Sequence, residues 1–312
     1  MLPLVSIIIP IYNAENFIDR CLNSILNQSF KDYVVYMIND GSTDNTLNKL
    51  EYFSKNDSRF ILINKENSGV STTRNFGLNL VKTKYTVFID SDDTIEKDYL
   101  KLMINESEIN DFDITICDYN IIKNGINTTF NNSSSCKNTN DPNELISSML
   151  EHKIWGVLWN KLIKTKVYRD NNISFIDGVN MWEDLYFCVN ILSNTKKVGH
   201  VKKPLYNYYI TNTGLVNSKT TKHRIQQQST IIDALSKIEY IKSNFKKELN
   251  YSKIYAKENY LRINECFDPV SWRSTLPIDS FEIMKTRNSR NSKIIAILAN
   301  LKLDILIKIL IT

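Results

Sequence analysis

The sequence predicts an α/β protein: a mostly parallel sheet flanked by helices, with a helical region after about residue 215. Three observations carry that prediction. Strand-like and helix-like segments alternate over the first 120 residues, as βαβ units require. The strand-like segments are continuous apolar runs rich in β-branched residues, the mark of strands covered on both faces. From Thr221 onward apolar residues recur at helical spacing and no strand pattern returns. The 312 residues therefore divide into 1–215 and 216–312, a large domain and a smaller appendage.

Val5–Ile9 is the first strand. Asn13 is placed to cap a helix running from Ala14 to about Asn27, with Phe17, Ile18, Cys21, Leu22, Ile25 and Leu26 at helical spacing. Tyr33–Ile38 is the second strand, and Ser42 or Thr43 starts a helix through Leu47, Leu50 and Phe53. Phe60–Ile63 is a strand, Ser71–Val81 a helix, Tyr85–Ile89 a strand, Lys97–Ile109 a helix and Ile114–Cys117 a fifth strand. Residues 123–143 are polar and turn-rich, a surface loop or hairpin excursion.

Composition narrows the function. Lys and Arg number 39 against 34 Asp and Glu, and the whole excess lies in residues 285–312, where six basic residues face Asp304 alone. The remaining residues balance, so the main domain lacks the basic surplus of a nucleic-acid-binding core. The five cysteines are scattered without a CxxC pair and the three histidines form no HxxxH pair. That argues against a disulfide framework or a zinc site and for a reducing compartment, hence a cytoplasmic protein. The opening run MLPLVSIIIPIYN has no basic flank and is broken by Pro10, so it reads as a buried strand and not a signal peptide. No stretch of 18 uncharged apolar residues occurs, and no membrane-spanning helix is expected.

On parallel sheets ligands bind at the carboxyl ends of strands, which directs attention to Pro10–Asn13, Asn39–Asp44, Asn64–Gly69 and Asp90–Asp93. Residues two apart in extended chain share a side, so Asp90 and Asp92 project together, and a divalent cation with oxygen ligands relieves their repulsion. The bland alternative is a solvated acidic turn with Asp93 or Thr94 capping the next helix. Asp40 either satisfies the backbone of the Gly41 turn or accepts a hydrogen bond from a ligand such as uracil N3–H. Arg74 is either a surface helix charge or a bidentate partner for phosphate. Trp182-Glu183-Asp184 precedes an apolar helical run, and a carboxylate in a first helical turn is stabilised as the anion, as a general base needs. Its alternative role is merely to favour the helix start.

Taken in order, these residues are far more specific than singly. Val5-Ser6-Ile7-Ile8-Ile9-Pro10-Ile11-Tyr12-Asn13, Gln28-Ser29-Phe30, Asn39-Asp40-Gly41-Ser42-Thr43-Asp44, Glu66-Asn67-Ser68-Gly69 through Arg74-Asn75-Phe76-Gly77, and Phe88-Ile89-Asp90-Ser91-Asp92-Asp93 strongly resemble the family-2 inverting glycosyltransferases of the GT-A fold. The likeness resumes at Trp159-Asn160-Lys161-Leu162 and around Trp182-Glu183-Asp184-Leu185. The resemblance implies a Rossmann-like nucleotide-binding half. In it Pro10, Tyr12, Asp40 and Asn67 hold uridine, and Arg74 touches the diphosphate or sets Asp40. Asp90 approaches the ribose or the metal's water shell, Asp92 ligates Mn²⁺ or Mg²⁺, and Asp184 is the general base. It further implies a UDP-sugar donor, a glycan or lipid-linked acceptor, and a place in capsule, lipopolysaccharide or related surface-polysaccharide synthesis. Thr73 stands where relatives usually have Ala, Asp177 where they often have Glu, and Tyr209 where they often have a phosphate-binding Arg. A nucleotidyltransferase would open with a Gly-rich basic loop, which Pro10–Asn13 is not, and a non-catalytic binding module would not need to keep Asp40, Arg74, Asp90, Asp92 and Asp184 together.

Two segments stay outside the resemblance. Trp155, Trp159, Trp182, Tyr206, Tyr208 and Tyr209 form an aromatic set that serves as core or as a platform for a sugar ring. Residues 292–312 suit one helix with Asn300, Asp304, Lys308 and Thr312 as a polar stripe. That helix closes the bundle, contacts a second copy, or lies peripherally on an anionic membrane with Arg287, Arg290 and Lys293 at the headgroups.

Overall fold

The computed structural model describes residues 2–210 and 220–311, so the boundary placed near 215, like Thr312, lies outside the described residues. The sheet contains β1 (Val5–Ile11), β2 (Tyr33–Asp40), β3 (Phe60–Lys65), β4 (Tyr85–Phe88), β5 (Thr94–Ile95), β6 (Ile114–Lys123), β7 (Ile126–Phe130), β8 (Lys161–Lys164) and β9 (Val198–Tyr209). Their order is β3-β2-β1-β4-β8-β6-β9-β5, with β7 paired to β6. The first four in chain order pair in parallel, as the sequence leads one to expect. β6 also runs parallel to β9, while β8 is antiparallel to both β4 and β6.

The apolar runs are buried on both faces for a visible reason. Ile8 and Phe88 point into one core with Leu78, Phe187 and Ile191. Val5, Ile7, Ile9 and Val87 point into the other with Cys21, Leu22, Ile25 and Leu50. Four helices serve the parallel half: α1 (Ile18–Leu26), α2 (Thr46–Asn56), α3 (Val70–Leu80) and α4 (Tyr99–Asn110). α3 lies unusually close to the sheet, because Gly77 carries no Cβ: one placed there would sit 2.6 Å from Ile8 Cγ2. That approach brings Arg74, one turn earlier, to the carboxyl end of the sheet.

Two helices start later than expected. Asn13 is left-handed (φ 47°) and does not cap α1; its Oδ1 instead accepts from Thr43 N at 2.8 Å. Asn13 N donates to Ser42 Oγ at 3.0 Å, so both loops are tied to each other before either helix begins. The polar stretch 123–143 is in part a hairpin, β6–β7, followed by α5 (Asn132–Ser135) and the unforeseen α6 (Pro142–Leu150), which Asp141 caps. After β8 come α7 (Thr165–Arg169) and α8 (Glu183–Ser193).

The C-terminal region is helical: α9 (Lys222–Lys237), α10 (Glu239–Asn244), α11 (Lys246–Lys257), α12 (Asn259–Arg262), α13 (Pro269–Ser274), α14 (Ser280–Lys285), α15 (Arg290–Asn300) and α16 (Asp304–Ile311). Ile231, Ile232, Leu235 and Leu249 share the core of α6 and α8, so this region is fused to the sheet domain. The single helix expected over 292–312 is broken. Lys302 adopts φ 61°, and Leu303 N bonds Leu298 O at 2.9 Å, a left-handed stop that closes α15. The polar positions then turn inward: Asp304 pairs with Arg273 at 2.8 Å and Asn300 Nδ2 donates to Ile278 O at 2.9 Å. Ile305, Leu306, Ile309 and Leu310 face outward. Among the described residues no helix is long and apolar enough to cross a membrane.

Candidate active site

At the end of β1, Tyr12 is 52% exposed beside Pro10, on the loop that Asn13 ties to Thr43. Asp40 ends β2 and is buried. Its carboxylate accepts from Ser68 N and Gly69 N, both at 2.9 Å, and pairs with Lys65. Burial would raise the Asp40 carboxyl, but Lys65 and the Ser68 N–H outweigh it and hold it below the usual range. Asn67 Nδ2 donates to Asp40 O at 2.8 Å. Gly41 makes this turn possible: it has φ 71°, and a Cβ on it would lie 2.8 Å from Asn67 N. Asp40 thus stitches the β3–α3 loop to β2 and does not satisfy its own Gly41 turn, where Asn39 Oδ1 accepts from Ser42 N at 3.2 Å; Oδ2 retains a lone pair for a further donor. Lys65 escaped sequence reasoning, although it is the register partner of Asp40 across β2 and β3.

After β4 the chain turns, with Asp93 N donating to Asp90 O at 3.2 Å. Asp93 does not cap a helix; it is fully buried, accepting from Tyr206 Oη at 2.7 Å and Tyr209 N at 2.8 Å. Asp90 and Asp92 remain partly exposed. Burial pushes Asp92 up to about 6, with the Asp90 charge adding and Arg20 opposing. Arg20, another residue that sequence reasoning missed, donates to Asp92 O and lies 3.7 Å from the ring centroid of Tyr209. No group of three or more His, Cys, Asp or Glu side chains converges on a cation position among the described residues. The pair Asp90 and Asp92 nonetheless fits a divalent cation. Their mutual repulsion is what such an ion relieves, and Mg²⁺ is commonly held by one or two carboxylates, with waters and phosphate oxygens completing its shell.

The chemistry converges on Arg74, which is 4% exposed. Its Nη1 donates to Glu183 Oε1 at 2.9 Å and Asp184 Oδ1 at 2.5 Å; its Nη2 donates to Asp90 Oδ1 at 3.1 Å. One guanidinium therefore joins the end of β4 to the first turn of α8, whose Asp184 lies 110 residues along the chain from Arg74. It is not a surface helix charge. Burial would lower the Arg74 pKa, but Asp184, Asp90 and Glu183 raise it further, so it stays charged. Trp182 enters α8 in the left-handed conformation (φ 63°). Burial, against Arg74 and with Glu183 and Asp90 adding, pushes Asp184 up to about 8. The helix dipole alone does not set its charge, because three carboxylates share one guanidinium.

The likeness segments around this cluster are structural supports. Asn75 clasps the chain at Phe175, donating to its O at 3.0 Å and accepting from its N at 2.8 Å, and also donates to Asp177 Oδ1 at 2.9 Å. Thr73 is buried. Trp159 stacks on Tyr206 at 4.3 Å and on Tyr208 at 5.8 Å. Trp182 belongs to a separate group, 4.8 Å from His152 and 5.9 Å from Tyr255. A cavity of about 290 Å³ lined by Lys84, Lys164 and Arg169 lies at the opposite, amino end of β4 and adds no group to the cluster.

The family model described as glycosyl transferase family 2 matches residues 6–170. The putative glycosyltransferase EpsH of Bacillus subtilis is 32% identical over 217 residues, which are 69% of this chain and 63% of that protein. The poly(ribitol-phosphate) beta-glucosyltransferase of Bacillus spizizenii is 30% identical over 214 residues, 67% of this chain and 33% of that protein. The chain thus spans less than two thirds of either relative's length. The crystal structure of S. aureus TarS 1–349 in complex with UDP-GlcNAc matches with a TM-score of 0.73 at 21% identity, over 97% of this chain and 89% of that one, a likeness of fold.

Proposed function

The chain belongs to glycosyl transferase family 2, and from that premise we propose that it is an inverting, metal-assisted transferase moving a sugar from a UDP-sugar to a hydroxyl of a glycan or lipid-linked acceptor in surface-polysaccharide synthesis. The single observation that carries this reading is the Arg74 bridge, which holds Asp184 beside the acidic turn at the end of β4. Uridine recognition falls to Pro10, Tyr12, Asp40 and Asn67 around the β1 and β2 ends. A uridine diphosphate donor is supported by the fold shared with TarS, which was crystallised with UDP-GlcNAc.

Asp92, with Asp90 through its water shell, would hold Mn²⁺ or Mg²⁺, which supplies positive charge to the departing diphosphate. Asp184 takes the proton from the acceptor hydroxyl as that oxygen attacks the anomeric carbon opposite the leaving group. One displacement inverts the carbon and needs no covalent nucleophile. Arg74 holds Asp184 and Asp90 in mutual register and keeps the base from swinging away. Arg20, stacked on Tyr209, puts a cation where relatives often carry one on the tyrosine strand itself.

The outward Ile305, Leu306 and Leu310, near Lys302 and Lys308, support peripheral contact with the cytoplasmic face of a membrane, where a lipid-linked acceptor would lie. The test of function is a panel of UDP-sugars with Mn²⁺, scored by UDP release. Slow metal-dependent release from one donor is expected. Its absence from every donor, or pyrophosphate release from a nucleoside triphosphate, would overturn the proposal.

A further inference from the structure

We propose that Trp155 is a stacking platform for a pyranose ring of the acceptor, a saccharide subsite between the acidic turn and the base. The proposal rests on the function given above and names where its second substrate sits.

Trp155 is 42% exposed, whereas Trp159, four residues on, is 2% exposed. The indole packs against rings: it stacks on Tyr119 at 5.7 Å and an interplanar angle of 29°, and on Phe130 at 6.5 Å and 16°. A large flat ring so braced, yet left open to water, is a ready surface for the apolar face of a sugar. The exposed Thr128, on the same face of β7 as Phe130, offers a hydroxyl on that side, which suits the hydroxyl edge of a pyranose.

Position makes the ring more than an exposed aromatic. The residues that follow it clamp onto the first turn of α8. Gly156 lies so near that a Cβ would sit 2.9 Å from the Cα of Leu185, the residue after Asp184. In the other direction Trp155 meets Tyr208 edge-on at 5.6 Å. The residue after Tyr208, Tyr209, donates its N–H to Asp93 of the acidic turn at 2.8 Å. Trp155 is therefore tied to the first turn of α8 through its own loop and to the acidic turn through the Tyr208–Tyr209 segment. A hydroxyl that Asp184 deprotonates belongs to a sugar lying in that interval.

The experiment compares the wild type with W155F and W155A, using the UDP-sugar found active in the donor panel, Mn²⁺, and methyl β-D-pyranosides of glucose, galactose and N-acetylglucosamine as probes. At least one glycoside is expected to raise UDP release above the hydrolytic rate in the wild type. Its half-saturating concentration should rise roughly tenfold in W155A, the scale of one aromatic contact. W155F, which keeps a flat ring, should fall between, and the KM for the donor should not follow the change. Tryptophan emission gives a second readout on intact side chains: the glycoside shifts emission in the wild type and not in W155F. Equal concentration dependence in the wild type and W155A, with equal emission shifts in the wild type and W155F, would overturn the platform. So would a wild type that hydrolyses the donor but responds to no glycoside. A wild type that hydrolyses no UDP-sugar fails the function proposal instead.

Discussion

Replacing Asp184 by Asn preserves the size of the side chain and removes its capacity to take a proton. In the native cluster, burial against Arg74, with Glu183 and Asp90 adding, pushes Asp184 up to about 8. The carboxylate, the form that accepts the acceptor's proton, is therefore gained as pH rises through the neutral range. The wild-type kcat/KM is expected to climb about tenfold per pH unit below 8 and to level off above it, because the active form is lost as pH falls through that value. In Asp184→Asn the rate should drop about 10²–10⁴-fold and the pH limb should vanish. UDP binding by calorimetry should persist, since Arg74 keeps two carboxylate partners. Stability supplies an independent check on the sign. A folded-state pKa above the unfolded value means that the native protein binds more protons than the unfolded chain between about pH 4 and 8. The native wild type therefore loses stability as pH rises across that window, and the variant should lose less. The assay is UDP release from pH 6 to 9.5 beside thermal unfolding over the same range. Full transfer by Asp184→Asn, or a surviving wild-type pH limb, refutes the assignment of the base.

Asp92→Ala should abolish the Mn²⁺-dependent part of UDP binding measured by calorimetry, while the metal-free part stays. Arg74→Met leaves three carboxylates around an uncharged side chain and should cost about 3–5 kcal/mol in chemical denaturation. That deficit should shrink as pH falls and the carboxylates protonate; a deficit that grew in acid would contradict the ion-pair account. Ile305→Glu with Leu310→Glu should reduce co-sedimentation with phosphatidylglycerol vesicles while leaving the unfolding temperature in place. Equal sedimentation of variant and parent would remove the membrane role of α16.

The parallel half of the fold is legible in the sequence because β1, β2 and β4 are short apolar runs with both faces buried, as Ile7 and Ile8 show by pointing into different cores, and β3 at the edge, though half exposed, keeps the apolar run Phe60–Ile63. β9 was hidden because Lys202-Lys203-Pro204 interrupts it, and the register shift near Asp118 absorbs that interruption. The late starts of α1 and α2 come from a tertiary contact, Asn13 with Ser42 and Thr43, that local capping rules do not contain. The tail helix breaks at Lys302 without a glycine to announce it. In the site, the residues at strand ends were legible from topology alone. The meeting of Arg74 with Asp184 and Asp90 was not foreseen: the resemblance set Arg74 on the diphosphate or beside Asp40, whose ion-pair partner is Lys65, and nothing local relates residues so far apart. Arg20 was unforeseen because its partner is a main-chain oxygen, which leaves no trace in sequence.

Because a single buried guanidinium serves carboxylates from both the end of β4 and the first turn of α8, those two parts of the fold are electrically one unit. Any change of charge at Asp90 alters the basicity of Asp184, and exchanging the first 95 residues with those of a relative transplants only part of the circuit. Engineering of donor choice in this scaffold has to carry the Trp182–Asp184 turn along with the β4 end, or accept a catalyst tuned to the wrong pH.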